Sequence, residues 1–136
     1  MRLGQVELGR TELVEFATRY DPLPIHTDAA TSPFGEVIAS GVHTMALFSS
    51  LASRAFIPRL ALLAGKGIDM LRLPHPVRPD SMLTGWVRLE RIELRESRAD
   101  VVYQATLTDQ LGHVVLSFTG ITVVSRRDIG AATVPC

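Results

Sequence analysis

An acid and an imidazole stand five positions apart in YDPLPIHTD, residues 20–28: Asp21 and His26, with Pro22 and Pro24 between them. Each proline fixes its own φ and pushes the preceding residue out of helical space, so Asp21 and Leu23 are biased toward extended or turn conformations. The segment reads as a stiff, shaped loop able to hold two ionisable groups. Fully extended, five residues span roughly 17 Å, so the two side chains meet only if the loop curls back. A carboxylate and an imidazole brought together could then serve as a catalytic pair.

A second element lies downstream. Ser40-Gly41 precedes a long apolar stretch, VHTMALFSSLASRAF, and would open a helix there. The first N–H groups of a helix have no partner within it and carry the positive end of its dipole, while a glycine lets a ligand approach the backbone closely. A developing oxyanion could sit at that point. An ordinary helix cap would use the same two residues.

The remaining reactive side chains read as less committed. His26, His43, His75 and His113 are widely spaced and show no paired metal-ligand spacing. His43 falls in the first turn of the expected helix, where it could touch the site or simply be a hydrogen-bonded, partly buried histidine. His75 sits between prolines and His113 beside an expected turn, which places both in loops. Ser49 and Ser50 lie about two turns into the helix, where a serine by default packs and bonds back to the backbone. There is no Gly-rich phosphate loop and no Gly-x-Ser-x-Gly.

The elements that must position these groups follow from periodicity. Leu3 to Leu8 alternates as a strand, and Thr11, Glu12 and Glu15 supply a cap and first-turn negative charge for a short helix through Ala17. Thr27-Asp28 before two alanines suggests one helical turn stopping by Ser32-Pro33. The central helix is expected from about Val42 to Phe56; with only Arg54 charged, it should be buried nearly all round. Gly67 to Leu73, Ser81 to Glu93, Asp100 to Thr108 and His113 to Val124 read as strands, with a hairpin turn at Asp109 to Gly112. Alternation slips between Leu89 and Ile92 and around Gly120, where bulges or strong bends are expected. One buried helix followed by long antiparallel strands predicts an α+β fold in which a curved sheet rolls around the helix.

At 136 residues the chain fits one domain, expected over residues 1–130 with a loose tail from Ala131 to Cys136. Formal net charge is zero, and the 13 arginines and one lysine are dispersed, so no basic face points to nucleic acid. No signal peptide and no run of about 18 apolar residues is present, which reads as a soluble, cytoplasmic protein without a membrane role. The single cysteine, Cys136, excludes an intrachain disulfide.

The run FATRYDPLPIHTDAATSPFGEVIASGVHTMALFSSL resembles the MaoC-like dehydratases, the hot-dog-fold group that contains the (R)-specific enoyl-CoA hydratases. The match runs from Phe16 to about Leu51, and LRLPHPVRPDSML looks like the family's later strand and turn. By position the resemblance implies that Asp21 and His26 are the catalytic pair. It implies further that Gly41 polarises a thioester carbonyl through its N–H and that Ser49 helps to position the site. Ser40 and His43 join the expected oxyanion and substrate-binding set. The implied reaction is reversible addition of water to a trans-2-enoyl thioester of coenzyme A or an acyl carrier protein, giving an (R)-3-hydroxyacyl thioester. No cofactor is implied, and a homodimer or higher homo-oligomer is. Two departures stand out: Tyr20 and Leu23 replace the usual Gly and Asn around the acid, and Asp80-Ser81 replaces Gly-Asp after Val-Arg-Pro. Thioester hydrolysis and a non-catalytic acyl-binding subunit are the competing readings. Arg59, Lys66, Arg72 and Arg78 are candidates for contact with coenzyme A phosphates.

Overall fold

Strand alternation and one apolar helix assemble as the sequence predicts, in a computed structural model that describes residues 1–126. The chain runs β1 (Arg2–Leu8), α1 (Arg10–Tyr20), α2 (Pro24–Thr27), α3 (Gly41–Ala55), a 3₁₀ turn (Ile57–Arg59), β2 (Leu62–Arg72), β3 (Ser81–Leu94), β4 (Arg98–Thr108) and β5 (Val114–Ser125). The strands form one antiparallel sheet in the order β1-β3-β4-β5-β2, curled against α3. This is the hot-dog fold. The expected tail, Ala131 to Cys136, lies outside the described residues.

The core forms where the sheet's inner face meets α3. Leu47, Phe48 and Leu51 of α3 pack with Leu83 and Val87 of β3, Tyr103 and Leu107 of β4, and Phe118 of β5. Phe118 meets Phe48 edge-on at 5.1 Å between ring centres. Tyr103 determines the residue opposite it: a Cβ at Gly120 would fall 2.2 Å from the Tyr103 ring, so only glycine fits there. That requirement accounts for the glycine; β4 and β5 stay in register through it, while the irregularity expected around Gly120 lies in the β2–β5 pairing on either side of it, between Gly65 and Gly67 and between Asp69 and Arg72. The other expected bulge is present, between Leu89 and Arg91 in the β3–β4 pairing.

Four local expectations are corrected. Strand β2, expected from Gly67 to Leu73, begins at Leu62 and ends at Arg72. Helix α1 begins a residue before Thr11, with Gly9 as its N-cap and no side-chain cap bond, and it continues to Tyr20. The single helical turn expected near Thr27-Asp28 starts earlier, at Pro24, whose fixed φ and missing N–H suit the first helical position. Helix α3 is buried on one face only: His43, Thr44, Leu47, Phe48, Leu51 and Ala52 are covered, while Val42, Ala46, Ser49 and Ser53 are open. A single curved sheet can cover one side of a helix, and the small residues on its other side are left bare.

No helix among the described residues is long and apolar enough to cross a membrane.

Candidate active site

Helix α1 ends where Asp21 takes over as its C-cap, the Asp21 N–H bonding to the Ala17 carbonyl at 2.8 Å. The chain then reverses. Leu23 N–H reaches the Asp21 carbonyl at 2.8 Å, and His26 N–H reaches the Leu23 carbonyl at 2.9 Å as α2 winds from Pro24. These backbone bonds curl the segment, so that His26 Nε2 lies 3.3 Å from Asp21 Oδ2. An extended path would have held the two residues roughly 17 Å apart. The bracing that the Leu23 side chain cannot provide comes from its backbone, whose carbonyl also accepts from Thr27 Oγ1 at 3.2 Å.

The imidazole is buried and its orientation is set from behind. His26 Nδ1 lies 2.7 Å from the Ile38 carbonyl, and the Ile38 N–H returns a bond to the Ile25 carbonyl at 3.0 Å. A carbonyl can only accept, so Nδ1 carries the hydrogen. In a neutral ring the Nε2 lone pair therefore faces the carboxylate.

Asp21 is held from a third direction. Ser40, fully buried, donates its hydroxyl to Asp21 Oδ2 at 2.6 Å while accepting the Val42 N–H at 3.3 Å as the N-cap of α3. Thr44 N–H bonds to the Ser40 carbonyl at 3.0 Å. The Gly41 N–H has no hydrogen-bond partner among the described residues and stands at the positive end of α3. Asp21 Oδ1 is likewise unpaired among them, on a side chain that is 28% exposed.

A cavity of about 390 Å³ opens at this point, with His26, Ile38, Gly41, Thr44, Leu73 and His75 in its wall. Gly41 is needed to keep it open: a Cβ there would sit 2.5 Å from Leu73 Cδ1. The geometry gathers two proton acceptors, a helix N-terminus and a largely apolar chamber. A bound carbonyl could be polarised at one end while a water is deprotonated at the other.

Two of the expected residues stand elsewhere. Ser49 is about 12 Å further along α3 than Gly41 and turned by about 80°, exposed on the wall of a separate cavity of about 140 Å³ with Met45, Ile68 and Phe118. His43 faces α1: its ring stacks on Phe16 at 4.2 Å and its Nε2 lies 3.6 Å from Glu12 Oε1. Burial pushes the His43 pKa below the usual 6.5, against a smaller upward pull from Glu12. Thr44 and the Ile38 carbonyl join the site without having been expected. Thr44 carried a weak signal, lying three residues past Gly41 on the same helical face. Asp80 adopts φ 65°, a left-handed conformation that Asp tolerates, and its N–H bonds to the Leu8 carbonyl at 2.7 Å.

Residues 4–110 match the family model described as a MaoC like domain. This chain belongs to the MaoC-like domain family. Among solved structures, a MaoC-like dehydratase from Rhodospirillum rubrum shares 33% identity over 93% of this chain and 90% of its own, with a TM-score of 0.82. An (R)-hydratase from A. caviae involved in PHA biosynthesis shares 25% identity over 91% of this chain and 92% of its own, at TM-score 0.73. An R-hydratase from Pseudomonas aeruginosa, 24% identical over 98% of this chain and 86% of its own, has the same fold at TM-score 0.65. No curated protein sequence matches the chain. The MaoC-like family and its hydratase neighbours support a hydratase or dehydratase role for this chain.

Proposed function

We propose that this protein adds water reversibly across the double bond of a trans-2-enoyl thioester, yielding an (R)-3-hydroxyacyl thioester carried by coenzyme A or an acyl carrier protein. The observation that carries the reading is the pairing of Asp21 Oδ2 with His26 Nε2 at 3.3 Å beside the cavity where the Gly41 N–H is unpaired. A water gripped by Asp21 Oδ1 and His26 Nε2 gives up a proton to the pair as its oxygen bonds to C3. The π electrons move toward the thioester carbonyl, and the resulting enolate oxygen is stabilised by the Gly41 N–H. A proton from the pair then reaches C2, so that H and OH have been added and the pair is restored. Asp21, His26 and Gly41 touch the reacting atoms; Ser40 positions Asp21. Ser49 and His43 take no part in these steps.

A second copy of the chain belongs to the working form in this reading. Strand β2 is an edge of the sheet and exposes Leu63, Ile68, Met70 and Leu71, and Ile68 shares a cavity wall with Ser49 and Ser53 on the bare side of α3. An apolar edge strand next to a stripe of small residues favours burial against its own kind. Sedimentation of the intact protein should give twice the chain mass, with Ile68→Lys shifting it toward the monomer.

The reaction is tested by following the absorbance of conjugated enoyl thioesters of increasing chain length, with free thiol measured in parallel. Loss of absorbance with a 3-hydroxyacyl thioester as product supports hydration. Release of free thiol, or no change with any chain length on either carrier, counts against it.

A further inference from the structure

A second cavity, of about 480 Å³, adjoins the first and shares with it the His75-Pro76 segment of the β2–β3 connection. Its polar wall is made by His75, Arg78, Ser81, Asp109, Gln110 and His113, drawn from that connection, the start of β3 and the β4–β5 hairpin. The rings of His75 and His113 stack at 4.6 Å between centres, with 21° between their planes. Histidines 38 positions apart are thus neighbours in a hollow that the site above does not use.

The hydrogen bonds within the wall show what it has left to offer. Asp109 is its one carboxylate, and it is occupied: Oδ1 accepts from the N–H groups of Leu111 and His113, both at 2.9 Å, and Oδ2 pairs with His113 Nδ1 at 3.1 Å. Ser81 donates to the Arg78 carbonyl at 2.7 Å. Gln110 spends its carbonyl oxygen on the Met82 N–H at 3.1 Å, which leaves its amide NH₂ free. Arg78 gives one N–H to the Phe34 carbonyl at 3.1 Å and keeps the others. His113 Nε2 and both nitrogens of His75 have no partner among the described residues. What remains is a guanidinium, an amide NH₂ and two imidazoles, groups that together can donate hydrogen bonds around one permanent positive charge. Such a wall suits a phosphate.

We propose that this second cavity binds the phosphate end of the acyl carrier group while the acyl thioester lies in the first, the chain between them passing over His75-Pro76. The inference rests on the thioester reading above and adds to it the place where the carrier is recognised. The shared chemistry is a phosphate ester, which coenzyme A and the phosphopantetheine arm of a carrier protein both possess.

The test is direct binding, which needs no turnover. Calorimetric titrations of the intact protein with 4′-phosphopantetheine and with adenosine 3′,5′-bisphosphate are compared with those of Gln110→Glu. That variant keeps the acceptor for the Met82 N–H and replaces the free NH₂ with a charged oxygen. The expected result is saturable binding of at least one probe, weakened about ten-fold or more in Gln110→Glu and also in His113→Ala. Binding of 4′-phosphopantetheine places the pantetheine phosphate in the cavity; binding of the bisphosphate alone places the nucleotide end there and selects coenzyme A. Failure of both probes to bind at millimolar concentration, or equal affinity in wild type and Gln110→Glu, overturns the proposal. A protein that hydrates enoyl thioesters yet binds neither probe loses this inference alone. One that binds a probe as described yet turns over no thioester keeps the cavity's role and loses the reaction.

Discussion

Ser40 Oγ lies 2.6 Å from Asp21 Oδ2, joining the N-cap of the central helix to the acid at the end of α1 through one buried hydroxyl. The residue that caps α3 thereby also orients the carboxylate. Ser40→Ala should therefore do two separable things. Loss of the cap should cost about 1 kcal/mol of stability, read by denaturant unfolding. Loss of the hydroxyl should lower kcat about ten-fold with little change in KM, because substrate binding does not require it. A drop in stability with unchanged kcat would make Ser40 a cap and nothing more.

Gly41 separates stability from activity differently. The atom that an added Cβ would strike, Leu73 Cδ1, is the end of a half-exposed side chain that can swing aside. Gly41→Ala should fold with a loss of about 1 kcal/mol or less, but Gly41 and Leu73 both line the cavity, so the added methyl group and the displaced Leu73 change its wall. An about ten-fold or greater fall in kcat/KM is expected. Adding Leu73→Ala should recover much of it, a coupling read from the double-mutant cycle.

The tautomer of His26 follows from its bond to the Ile38 carbonyl. Nitrogen NMR of the neutral protein should show a protonated Nδ1 and an unprotonated Nε2. The reverse pattern would leave no lone pair facing Asp21, and the water would then have a single acceptor.

His43 predicts a pH dependence of stability. Unfolded, its imidazole takes up a proton around its ordinary value of 6.5; folded, burial holds it lower. Between those values the unfolded chain binds more protons, so stability is full above 6.5 and declines as pH falls below it. Denaturant midpoints measured from pH 7.5 down to about 5 should slope downward in the wild type, and His43→Gln should flatten the slope over that interval.

Much of this was legible in the sequence because it depends on local pattern. Helix α3 announced itself by apolar spacing and by Ser40-Gly41, and β3, β4 and β5 by alternation; their boundaries fall within about two residues of those read from the chain. Glycine 120 marked an irregularity that the β2–β5 pairing shows on both sides of it, but the reason for the glycine itself is Tyr103, a neighbour across the sheet that local pattern does not reveal. Proline 24 signalled a loop where it starts a helix, since the same fixed φ serves both. The Asp21 and His26 positions were readable, but their meeting depends on backbone bonds of the reversed chain, and the Ser40 contact joins residues 19 apart in sequence. Ser49 shows the converse: matched by its place in the motif, it stands eight residues past Gly41 and therefore on a different face of the helix.

The most direct measurement is kcat/KM for hydration of crotonyl-CoA by Asp21→Asn, a change that keeps the shape of the side chain and removes its capacity to take a proton. The rate constant should fall by about 10² to 10⁴, with unfolding midpoints close to wild type. Hydration by Asp21→Asn at the wild-type rate would contradict the assignment of Asp21 and His26 as the groups that activate water.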